Sequence, residues 1–594
     1  MTLSKQTILS VGLAGIFAGA LVFATGPARA ATYVVDQAGA GAADTNPGTE
    51  EKPWKTIQHA ADAAKPGDTV YVMAGKYDER VKIKTGGAEG KPVTFQAMPR
   101  RSAIVAGFDL EGSYIRVEGF EITADKPATA VQLRANHCQV LDNYIHDMSV
   151  AVGGAAGKPN RDPNTRDYSS VAHNRIAYNK VYHNQFGFIL AGEDWLVENN
   201  EVNRLFMYTE GKRNDDCDYS RFFGKGCVQR YNYYHGCRPG EIKVAHVDGI
   251  QTFAVNGEIA EDSLFEYNVV CDFGQGCMAS CEPHVGNIRK FAFRRNIFTS
   301  KAPGLLSGAW GVNLIDVPDV TVENNTFASI VWYGAGLRGK NATGGRIVNN
   351  ICYDIAAAFC DRDRNHPDSP NPLIEYNLTF QTKEGAKGET NINGKDPLFV
   401  DANNRGFRLK KDSPAIKAGK DGSTIGALEY PNVYYVDPRH PAAADEPAWG
   451  YPAVPLATLA KAMEVAQAGE TVVLRGGVYR ETLKPRSDGV TVRAMKGEKV
   501  TISGADVIEG WKRAADGSWS APLAAEPKKV LRDNQPWSEF TYDKAARRIT
   551  VKTGGDPRLH LFETVVRELG VDPAGKKDLK VEDIATVNTL APAK

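Results

Sequence analysis

The chain has 594 residues, and its 71 Lys and Arg balance its 71 Asp and Glu, so the formal net charge is zero. This balance excludes the strongly basic composition by which proteins bind nucleic acid or anionic membranes, and we expect no nucleic-acid partner. The length is enough for two or more ordinary domains or for one long array of repeats.

Residues 1–30 predict a secretory signal peptide. Lys5 precedes an apolar run over residues 8–24, and Ala28-Arg29-Ala30 supplies the small residues of a cleavage site. We expect cleavage before Ala31 and a secreted or periplasmic mature protein. Beyond the leader, no stretch reaches the roughly 20 consecutive apolar residues that a membrane helix needs. We therefore expect no membrane span.

The middle of the chain repeats a short strand that has an asparagine at a fixed place. Apolar and polar residues alternate around each asparagine, and β-branched or aromatic types dominate, which predicts strands. One such unit cannot bury its own apolar face, whereas stacked units can, so the repeat predicts a solenoid. Each amide could stack on the next copy. The repeated residues are Asn143, Asn179, Asn200, Asn268, Asn296, Asn325, Asn350 and Asn377.

These strands resemble the coils of right-handed parallel β-helix proteins, the pectate-lyase-like superfamily. Residues 33–80, which contain KPWKTIQHAADAAKPGDTVYVMAGKY, look like the N-terminal cap of that family, and residues 396–429, beginning DPLFVDANNRGF, look like its closing coil. The resemblance implies an all-β fold, a right-handed parallel β-helix solenoid. It places a cap and the first coils at 31–110, with a helix around Ile57–Ala64, and the β-helix at 111–430.

A long loop, residues 207–245, is predicted to interrupt the β-helix. Ordered loops of this length are uncommon without a function, and the aromatic and arginine residues in this one suit sugar rings and carboxylates. Asp215, Asp216 and Asp218 could supply oxygen ligands to Ca²⁺. A solvated acidic turn would show the same pattern, and that alternative stays open.

The segment EIKVAHVDGIQTF, residues 241–253, follows this loop and leads into a strand-like stretch. Side chains alternate along a strand, so His246 and Asp248 are expected on one face. Lys243 can join them only from a preceding loop or a bulge, and Gln251 can return to the outer face after a bend at Gly249. We predict His246, Asp248 and Lys243 as catalytic residues. The alternative is that His246 is an ordinary hydrogen-bonded structural histidine.

Six segments are expected to stack as one face of the solenoid, at 184–192, 246–253, 274–281, 310–316, 333–339 and 357–363. Their outward residues would form a charged file along this face. Such a file suits an extended polymer, which predicts a polysaccharide partner. Its expected members are Asp248, Gln251, Glu282, His284, Asp316, Arg338 and Asp361.

The resemblance implies a polysaccharide lyase that cleaves a uronate polymer by β-elimination. A base removes the C5 proton, while a cation neutralises the adjacent carboxylate. In this interpretation His246 is the base. The neutralising group is Arg289, Arg295 or Ca²⁺, and the acid is Tyr234 or His284. The predicted substrate-binding residues are Gln251, Glu282, His284, Arg289, Tyr234, Asp316 and Arg338.

Other functions remain open from the sequence. A glycoside hydrolase needs two carboxylates about 5 Å or about 6.5–9.5 Å apart, and Asp248 with Glu282 or Asp316 could serve. A uronate epimerase or a non-catalytic glycan-binding surface protein could use the same fold. The chain has no clear match to the glycosidases' Asp-Asp strand motif or to the Ca²⁺-and-Lys arrangement of the best-known pectate lyases.

The N-terminal cap pattern occurs a second time at residues 434–481. We expect a second cap-like module over 431–525, packed against the first solenoid, and a C-terminal extension over 526–594. The matching pairs are Asp36 with Asp437, Gly75-x-Tyr77 with Gly477-x-Tyr479, VTFQAM (93–98) with VTVRAM (490–495), and more weakly YIRVEGFEI (114–122) with LKVEDIATV (579–587).

The chain has nine cysteines, and in an exported protein this number favours disulfide bonds. Their spacing does not reveal the pairing, and an odd count leaves at least one thiol unpaired or available to another chain.

Overall fold

The computed structural model describes residues 30–154, 167–208, 215–300, 302–360, 368–446, 448–553 and 555–590. The predicted signal peptide, apart from Ala30, lies outside these residues. Over the described ranges, no helix is long and apolar enough to cross a membrane. The helices are α1 (Ile57–Ala63), α2 (Pro239–Ile242) and α3 (Leu459–Val465), and short 3₁₀ turns occupy Tyr168–Val171, Ala402–Asn404 and Pro557–Leu559.

Thirty-two strands form one continuous system of parallel pairs, wound as the predicted right-handed parallel β-helix. Each regular coil contributes three strands, which stack on their equivalents in the neighbouring coils as three sheets. The first sheet contains Thr32–Val35, Thr69–Ile83, Val93–Leu110, Ile115–Glu118, Gln139–Leu141, Arg175–Ala177, Leu196–Glu198, Val228–Arg230, Ala260–Glu266, Ile288–Arg294, Thr321–Glu323, Arg346–Val348 and Leu373–Glu375.

The other two sheets complete each coil. The second sheet contains Glu121–Ile122, Tyr144–His146, Lys180–Tyr182, Glu201–Asn203, Tyr233–His235, Val269–Cys271, Ile297–Thr299, Thr326–Ala328, Ile351–Cys360, Leu378–Glu384 and Ile392–Asn393. The third sheet contains Thr129–Leu133, Val150–Gly154, Phe186–Glu193, Ser220–Lys225, Asp248–Phe253, Gln275–Ser280, Trp310–Ile315 and Tyr333–Arg338. Five of the six segments that the sequence placed in one column lie in this sheet, and the sixth continues it through residues 357–360, which pair with the last strand of the sheet. The predicted column omitted Ser220–Lys225, which lies between Phe186–Glu193 and Asp248–Phe253.

Buried asparagines hold the corner between the first and second sheets. Asn296 shows the pattern: its Nδ2 donates to Asn325 Oδ1 at 3.0 Å and to the Phe265 carbonyl at 2.8 Å. The residue before each repeated asparagine has a positive φ, 53° at Arg295, a conformation that costs a non-glycine residue energy. The amide bonds offset this cost. The ladder comprises Asn143, Asn179, Asn200, Asn232, Asn268, Asn296, Asn325, Asn350, Asn377 and Asn391.

The predicted loop 207–245 is largely a regular coil. Its described part carries the strands Ser220–Lys225, Val228–Arg230 and Tyr233–His235, one in each sheet, before α2. Asn232 is the ladder member of this coil and is bonded to both Asn200 and Asn268. The sequence prediction of an irregular loop is therefore wrong for residues 220–235, because the YNYY segment was not recognised as another repeat.

Helix α1 matches the helix expected around Ile57–Ala64. The Thr56 side chain accepts from His59 N at 3.2 Å, and Glu79 accepts from the backbone N–H groups of Ile57 and Gln58. These bonds satisfy donors at the helix start that have no partner within the helix. The apolar face of α1, which includes Ile57 and Ala60, joins the core of the first coils. After the last coils, the antiparallel strands Phe399–Asp401 and Gly406–Leu409 follow.

The second module repeats this local structure. Thr458 accepts from Lys461 N at 3.0 Å, and Glu481 accepts from the N–H groups of Leu459 and Ala460 at the start of α3. Two parallel sheets follow. One contains Val433–Val436, Thr471–Leu474, Thr491–Ala494 and Lys580–Glu582, and the other contains Gly477–Tyr479, Val500–Ser503 and Ile584–Val587.

An antiparallel unit lies between the last two coils of the second module. Its sheets contain Ala505–Val507, Phe562–Val565, Val530–Arg532 and Gln535–Trp537, and Lys512–Arg513, Trp519–Pro522, Arg548–Val551 and Phe540–Asp543. Trp519–Pro522 pairs with Arg548–Val551. The predicted boundary between residues 525 and 526 therefore cuts through one sheet, since strand pairing joins both sides of it.

Polar contacts join the second module to the first solenoid. Arg475 Nη1 donates to Asn199 Oδ1 at 2.8 Å, and Arg439 Nη2 donates to the Tyr178 hydroxyl at 2.8 Å. His440, which is buried, lies 3.1 Å through its Nε2 from the Tyr231 carbonyl. The second module thus packs on the corner between the first and second sheets.

The expected disulfide bonds are absent, because all nine cysteines lie in described residues and no disulfide joins them. Eight of the nine are buried and act as small apolar side chains inside the coils. Burial raises the pKa of the Cys138 thiol to about 11.

We predict that Asn296→Ala destabilises the solenoid by about 3 kcal/mol, because it leaves several buried backbone and amide groups without partners. Urea unfolding of the mature protein, followed by circular dichroism, measures the change. The matched control is Asn403→Ala at an exposed site, for which we expect a change of about 0.5 kcal/mol or less. Equal effects at the two positions would contradict a stabilising ladder.

Candidate functional site

Three aspartates from two neighbouring coils converge where strands of the third sheet begin. Asp216, Asp218 and Asp248, hereafter the aspartate cluster, each place one carboxylate oxygen within 4.8 Å of the others. Parallel pairing brings them together: His246 N donates to the Asp215 carbonyl at 3.0 Å, and Tyr219 N donates to the Asp248 carbonyl at 2.9 Å. The coil geometry therefore joins two segments that lie about thirty residues apart in sequence.

Gly249, directly after Asp248, is required by packing. A Cβ atom there would lie 2.2 Å from the Gly276 carbonyl oxygen and 2.6 Å from Val270 Cγ1. Gly187, Gly276, Gly311 and Gly334 occupy the equivalent position in other coils, where a Cβ atom would also lie under 3.0 Å from a neighbouring atom. Tyr219 occupies it in the coil before Gly249. The glycine of the DGIQ segment is thus a structural repeat feature, whereas the aspartate and glutamine beside it are not explained by the repeat.

Arg221 holds two members of the aspartate cluster. Its Nη2 lies 2.6 Å from Asp216 Oδ2, and its Nε donates to Asp218 Oδ2 at 2.9 Å. The guanidinium lies between two rings, 5.1 Å from the centre of Phe186 and 5.4 Å from the centre of Phe253. Such packing fixes a planar cation in one orientation. The sequence analysis missed Arg221, although its position three residues after Asp218 was a signal.

One oxygen of Asp248 has no hydrogen-bond partner in the described structure. Gln251 Nε2 donates to Asp248 Oδ2, but the buried Oδ1 is unpaired, as is Gln251 Oε1. Asp248 is 1% exposed and Asp218 is fully buried. A buried polar atom without a protein partner is uncommon and indicates a site for an ion or a water molecule, or a functional role.

The aspartate cluster has more acidic groups than basic groups to neutralise them. Burial raises the pKa of Asp218 to about 7, with repulsion from Asp216 adding to the effect and Arg221 opposing it. Burial and the neighbouring carboxylates also raise the pKa of Asp248 well above its usual range. Three carboxylates face one guanidinium, so protons or a bound cation must supply the remaining positive charge.

The aspartate cluster fits a hard divalent cation. Arg221 contacts Oδ2 of Asp216 and of Asp218, and Asp218 Oδ1 accepts from Asp248 N at 3.3 Å. Asp216 Oδ1 and the unpaired Asp248 Oδ1 take no part in these hydrogen bonds. Carboxylate oxygens are the ligands that Ca²⁺ prefers, and water can complete its coordination. Asp215, which the sequence grouped with Asp216 and Asp218, is not part of the cluster, and Asp248 takes its place.

His246 is the solvent-exposed neighbour of the aspartate cluster. Its Nδ1 lies 3.8 Å from Asp216 Oδ1, and its side chain is 51% exposed. Lys243 lies on the preceding loop, directly after α2, with a left-handed φ of 55° and an exposed side chain. The expectation that His246 and Asp248 project together is wrong in one respect, because Asp248 is buried while His246 faces solvent.

Four predicted substrate-binding residues lie at the opposite edge of the third sheet, namely Glu282, His284, Asp316 and Arg338. The strands end there at the register partners Phe253, Ser280, Ile315 and Arg338. This edge is about 16 Å along the strand from Asp248. Glu282 and His284 follow this edge in an exposed turn. Their grouping with Asp248 is therefore wrong. The sequence analysis stacked the strands correctly but did not distinguish their two ends.

Asp316 and Arg338 at this edge have structural partners. Asp316 is 2% exposed, and its Oδ1 accepts from the backbone N and the Nδ2 of Asn341 at 2.9 Å. The Arg338 Nε donates to Asn313 Oδ1 at 2.9 Å. The prediction that Asp316 binds substrate is wrong, because a turn buries its carboxylate. Asp361, also assigned to the charged file, lies outside the described residues.

Tyr234 and Arg289 do not reach the aspartate cluster. Tyr234 is buried in the core, where its hydroxyl donates to Gln229 Oε1 at 3.0 Å, so its predicted contact with substrate is wrong. Arg289, in the first sheet, donates to Glu261 Oε2 at 3.2 Å. Arg295 pairs with Glu429 at 3.4 Å in the corner between the first and second sheets.

The predicted charged file is instead a mixed row. Within the described strands of the third sheet only Arg221 in this row carries a charge, and the row continues beyond Gln132 into Asp109 and Lys82 in the first coils. The charged residues are therefore not continuous along the face. The register-aligned row runs through Gln132, Gly153, Ile189, Arg221, Gln251, Met278, Asn313, Gly336 and Cys360.

Residues 34–193 match a family described as Pel9A-like, right handed beta helix region. The Bacillus subtilis (strain 168) uncharacterized protein YwoF is 27% identical over 138 residues, which is 19% of this chain and 29% of that protein. Pectate lyase PEL9 of Emericella nidulans is 27% identical over 173 residues, 29% of this chain and 38% of that protein. The chain thus matches less than half the length of either relative.

Two solved structures are similar to this chain at low sequence identity. A mutant of the PL6 family alginate lyase AlyGC has 15% identity and a TM-score of 0.39, with 75% of this chain and 68% of that chain covered. Pectate lyase Pel9A has 16% identity and a TM-score of 0.33, with 68% of this chain and 97% of that chain covered.

The raised pKa of Asp218 predicts that stability without metal falls as pH rises from about 4 to about 7. In that range the folded state holds a proton that the unfolded state has released, so rising pH favours unfolding. A divalent cation at this cluster would bind its ionised form, so Ca²⁺ is expected to raise the melting temperature more near pH 8 than near pH 5.

Differential scanning fluorimetry with a chelator and with Ca²⁺ measures both effects. Asp218→Asn is the matched variant. It should lose most of the Ca²⁺ response and part of the pH dependence, because the raised pKa of Asp248 supplies the rest. A Ca²⁺ response of equal size in Asp218→Asn and the wild-type protein would show that the cation binds elsewhere.

Proposed function

We propose that the protein is a secreted carbohydrate-active enzyme that cleaves an acidic polysaccharide by β-elimination at the aspartate cluster. The observation that carries the proposal is the convergence of Asp216, Asp218 and Asp248 beside the exposed His246. The pectate-lyase-like β-helix region over residues 34–193 supports a carbohydrate-active protein. The relative named pectate lyase PEL9 makes polygalacturonate the first substrate to test.

Four residues of this chain would have different roles in the reaction. His246 accepts the proton from C5 of the uronate, because it is the exposed basic group next to the cluster. Lys243, on the loop just before it, is the second candidate for this step. Arg221 holds Asp216 and Asp218 in place, and Gln251 orients Asp248 through its amide.

The residues that would hold Ca²⁺ are Asp216, Asp218 and Asp248. When bound, Ca²⁺ neutralises the sugar carboxylate and so makes the C5 proton more acidic. Burial of Asp218 and Asp248 keeps bulk water away from one side of the cluster, which strengthens charge interactions there.

We expect purified residues 31–594 to release unsaturated uronates from polygalacturonate or alginate in the presence of Ca²⁺, measured by their ultraviolet absorbance. His246→Ala should lower kcat by about 10²- to 10⁴-fold, the usual contribution of a general base. Asp248→Asn should lower activity and weaken Ca²⁺ binding together, since it removes a ligand and leaves the fold intact.

The matched control is His284→Ala, because His284 is also an exposed histidine but lies at the far edge of the third sheet. It should keep near wild-type activity. New reducing ends without unsaturation would identify a hydrolase, and inversion at C5 without cleavage an epimerase. Binding without any turnover would identify a non-catalytic glycan-binding protein, and each of these outcomes would overturn the lyase assignment.

A further inference from the structure

A second charged cavity lies between the first solenoid and the second module, away from the aspartate cluster. Its volume is about 610 Å³, within the range of small-ligand sites. The corner between the first and second sheets forms one wall, and the second module forms the other. Its cationic lining residues are Arg100, Arg175, Arg230, Arg439, Arg475 and Lys499, and its acidic ones are Glu118, Asp142, Glu198 and Glu498.

Positive charge exceeds negative charge in this lining. One buried carboxylate, Glu198, serves two guanidinium groups: Arg175 Nε donates to its Oε1 at 2.8 Å and Arg230 Nε to its Oε2 at 2.9 Å. Lys499 is exposed and forms no ion pair among the described residues. The lining therefore holds six cations and four carboxylates. Arg439 also pairs with Asp437 at 3.4 Å, and Arg230 lies 3.9 Å from Glu266, so the excess positive charge of the cavity rests on Lys499. A cleft with such an excess attracts anions.

The arginines keep donors free for a ligand. Arg100 contacts Asp142 through Nε and Nη2, and Arg175 contacts Glu198 through Nε and Nη2. The Nη1 groups of Arg100 and Arg175 take no part in these ion pairs, so each can donate to a ligand. These pairs also hold each guanidinium in a fixed orientation, which suits two-point binding of a carboxylate.

The docking of the second module is what closes this cavity. Arg475 is 7% exposed and reaches across to Asn199, while Arg439 reaches to the Tyr178 hydroxyl. Lys499 belongs to the same module and lies at the cavity wall. A ligand in the cavity would therefore touch both modules.

We infer that this cavity is a second binding site, separate from the aspartate cluster, for a uronate-bearing oligosaccharide of one or two rings. The anion preference follows from the lining charges, whereas the sugar class rests on the proposed function. The site gives the second module a role, which is to hold an acidic chain end or product away from the place of cleavage.

Isothermal titration calorimetry on the full mature chain tests this site without relying on turnover. All proteins carry Asp218→Asn and Asp248→Asn, so that binding at the aspartate cluster does not contribute. The probes are digalacturonate, neutral galactobiose and sodium sulfate. Lys499→Glu is the test variant, and Lys496→Glu is the matched control, since Lys496 is also exposed but does not line the cavity.

We expect digalacturonate to bind, galactobiose not to bind, and Lys499→Glu to weaken binding about tenfold or more, because it replaces attraction by repulsion. Lys496→Glu should leave the affinity unchanged. Equal affinities in the two variants, or no binding of digalacturonate, would overturn the site. Sulfate that binds as tightly as digalacturonate would overturn the sugar assignment. Lyase activity is measured separately on the unsubstituted cluster, so failure of one proposal does not imply failure of the other.

Discussion

The structure depends on the hydrogen-bonded stacking of one coil on the next at the corner between the first and second sheets. Each ladder asparagine bonds to the asparagine above it and to a backbone carbonyl, as Asn296 does with Asn325 and Phe265. These bonds fix the register of the coils between Asn143 and Asn391. Residues dozens of positions apart in sequence are thereby placed side by side, and any site on the solenoid is built from such rows.

The aspartate cluster is one consequence of this register. Asp218 and Asp248 come from neighbouring coils, and Arg221 is the one guanidinium bonded to the cluster in the described structure. The repeat explains Gly249 through its close contact with Gly276, but it does not explain a cluster of three carboxylates, two of which are buried. A group of charges that costs folding energy and has no structural need is the expected mark of a binding site.

The sequence predicted the parallel β-helix, the strand column and most of the ladder, because these features repeat locally. Asn232 was not recognised as a ladder residue. It follows a tyrosine, Tyr231, just as Asn179 follows Tyr178 and Asn268 follows Tyr267. The site was harder to predict. The alternation of apolar and polar residues predicted which face of a strand each side chain occupies. It did not predict the burial of Asp248, because that depends on packing by residues distant in sequence. It also did not predict the strand end at which Glu282 and His284 lie.

The central claim is that the aspartate cluster holds a divalent cation beside the bound sugar. A crystal of the His246→Ala protein soaked with Ca²⁺ and an oligogalacturonate tests it most directly. We expect anomalous density between the carboxylates of Asp216, Asp218 and Asp248, with a sugar carboxylate on the cation and C5 facing position 246. A cluster that binds no cation while the sugar lies on another face would contradict the account.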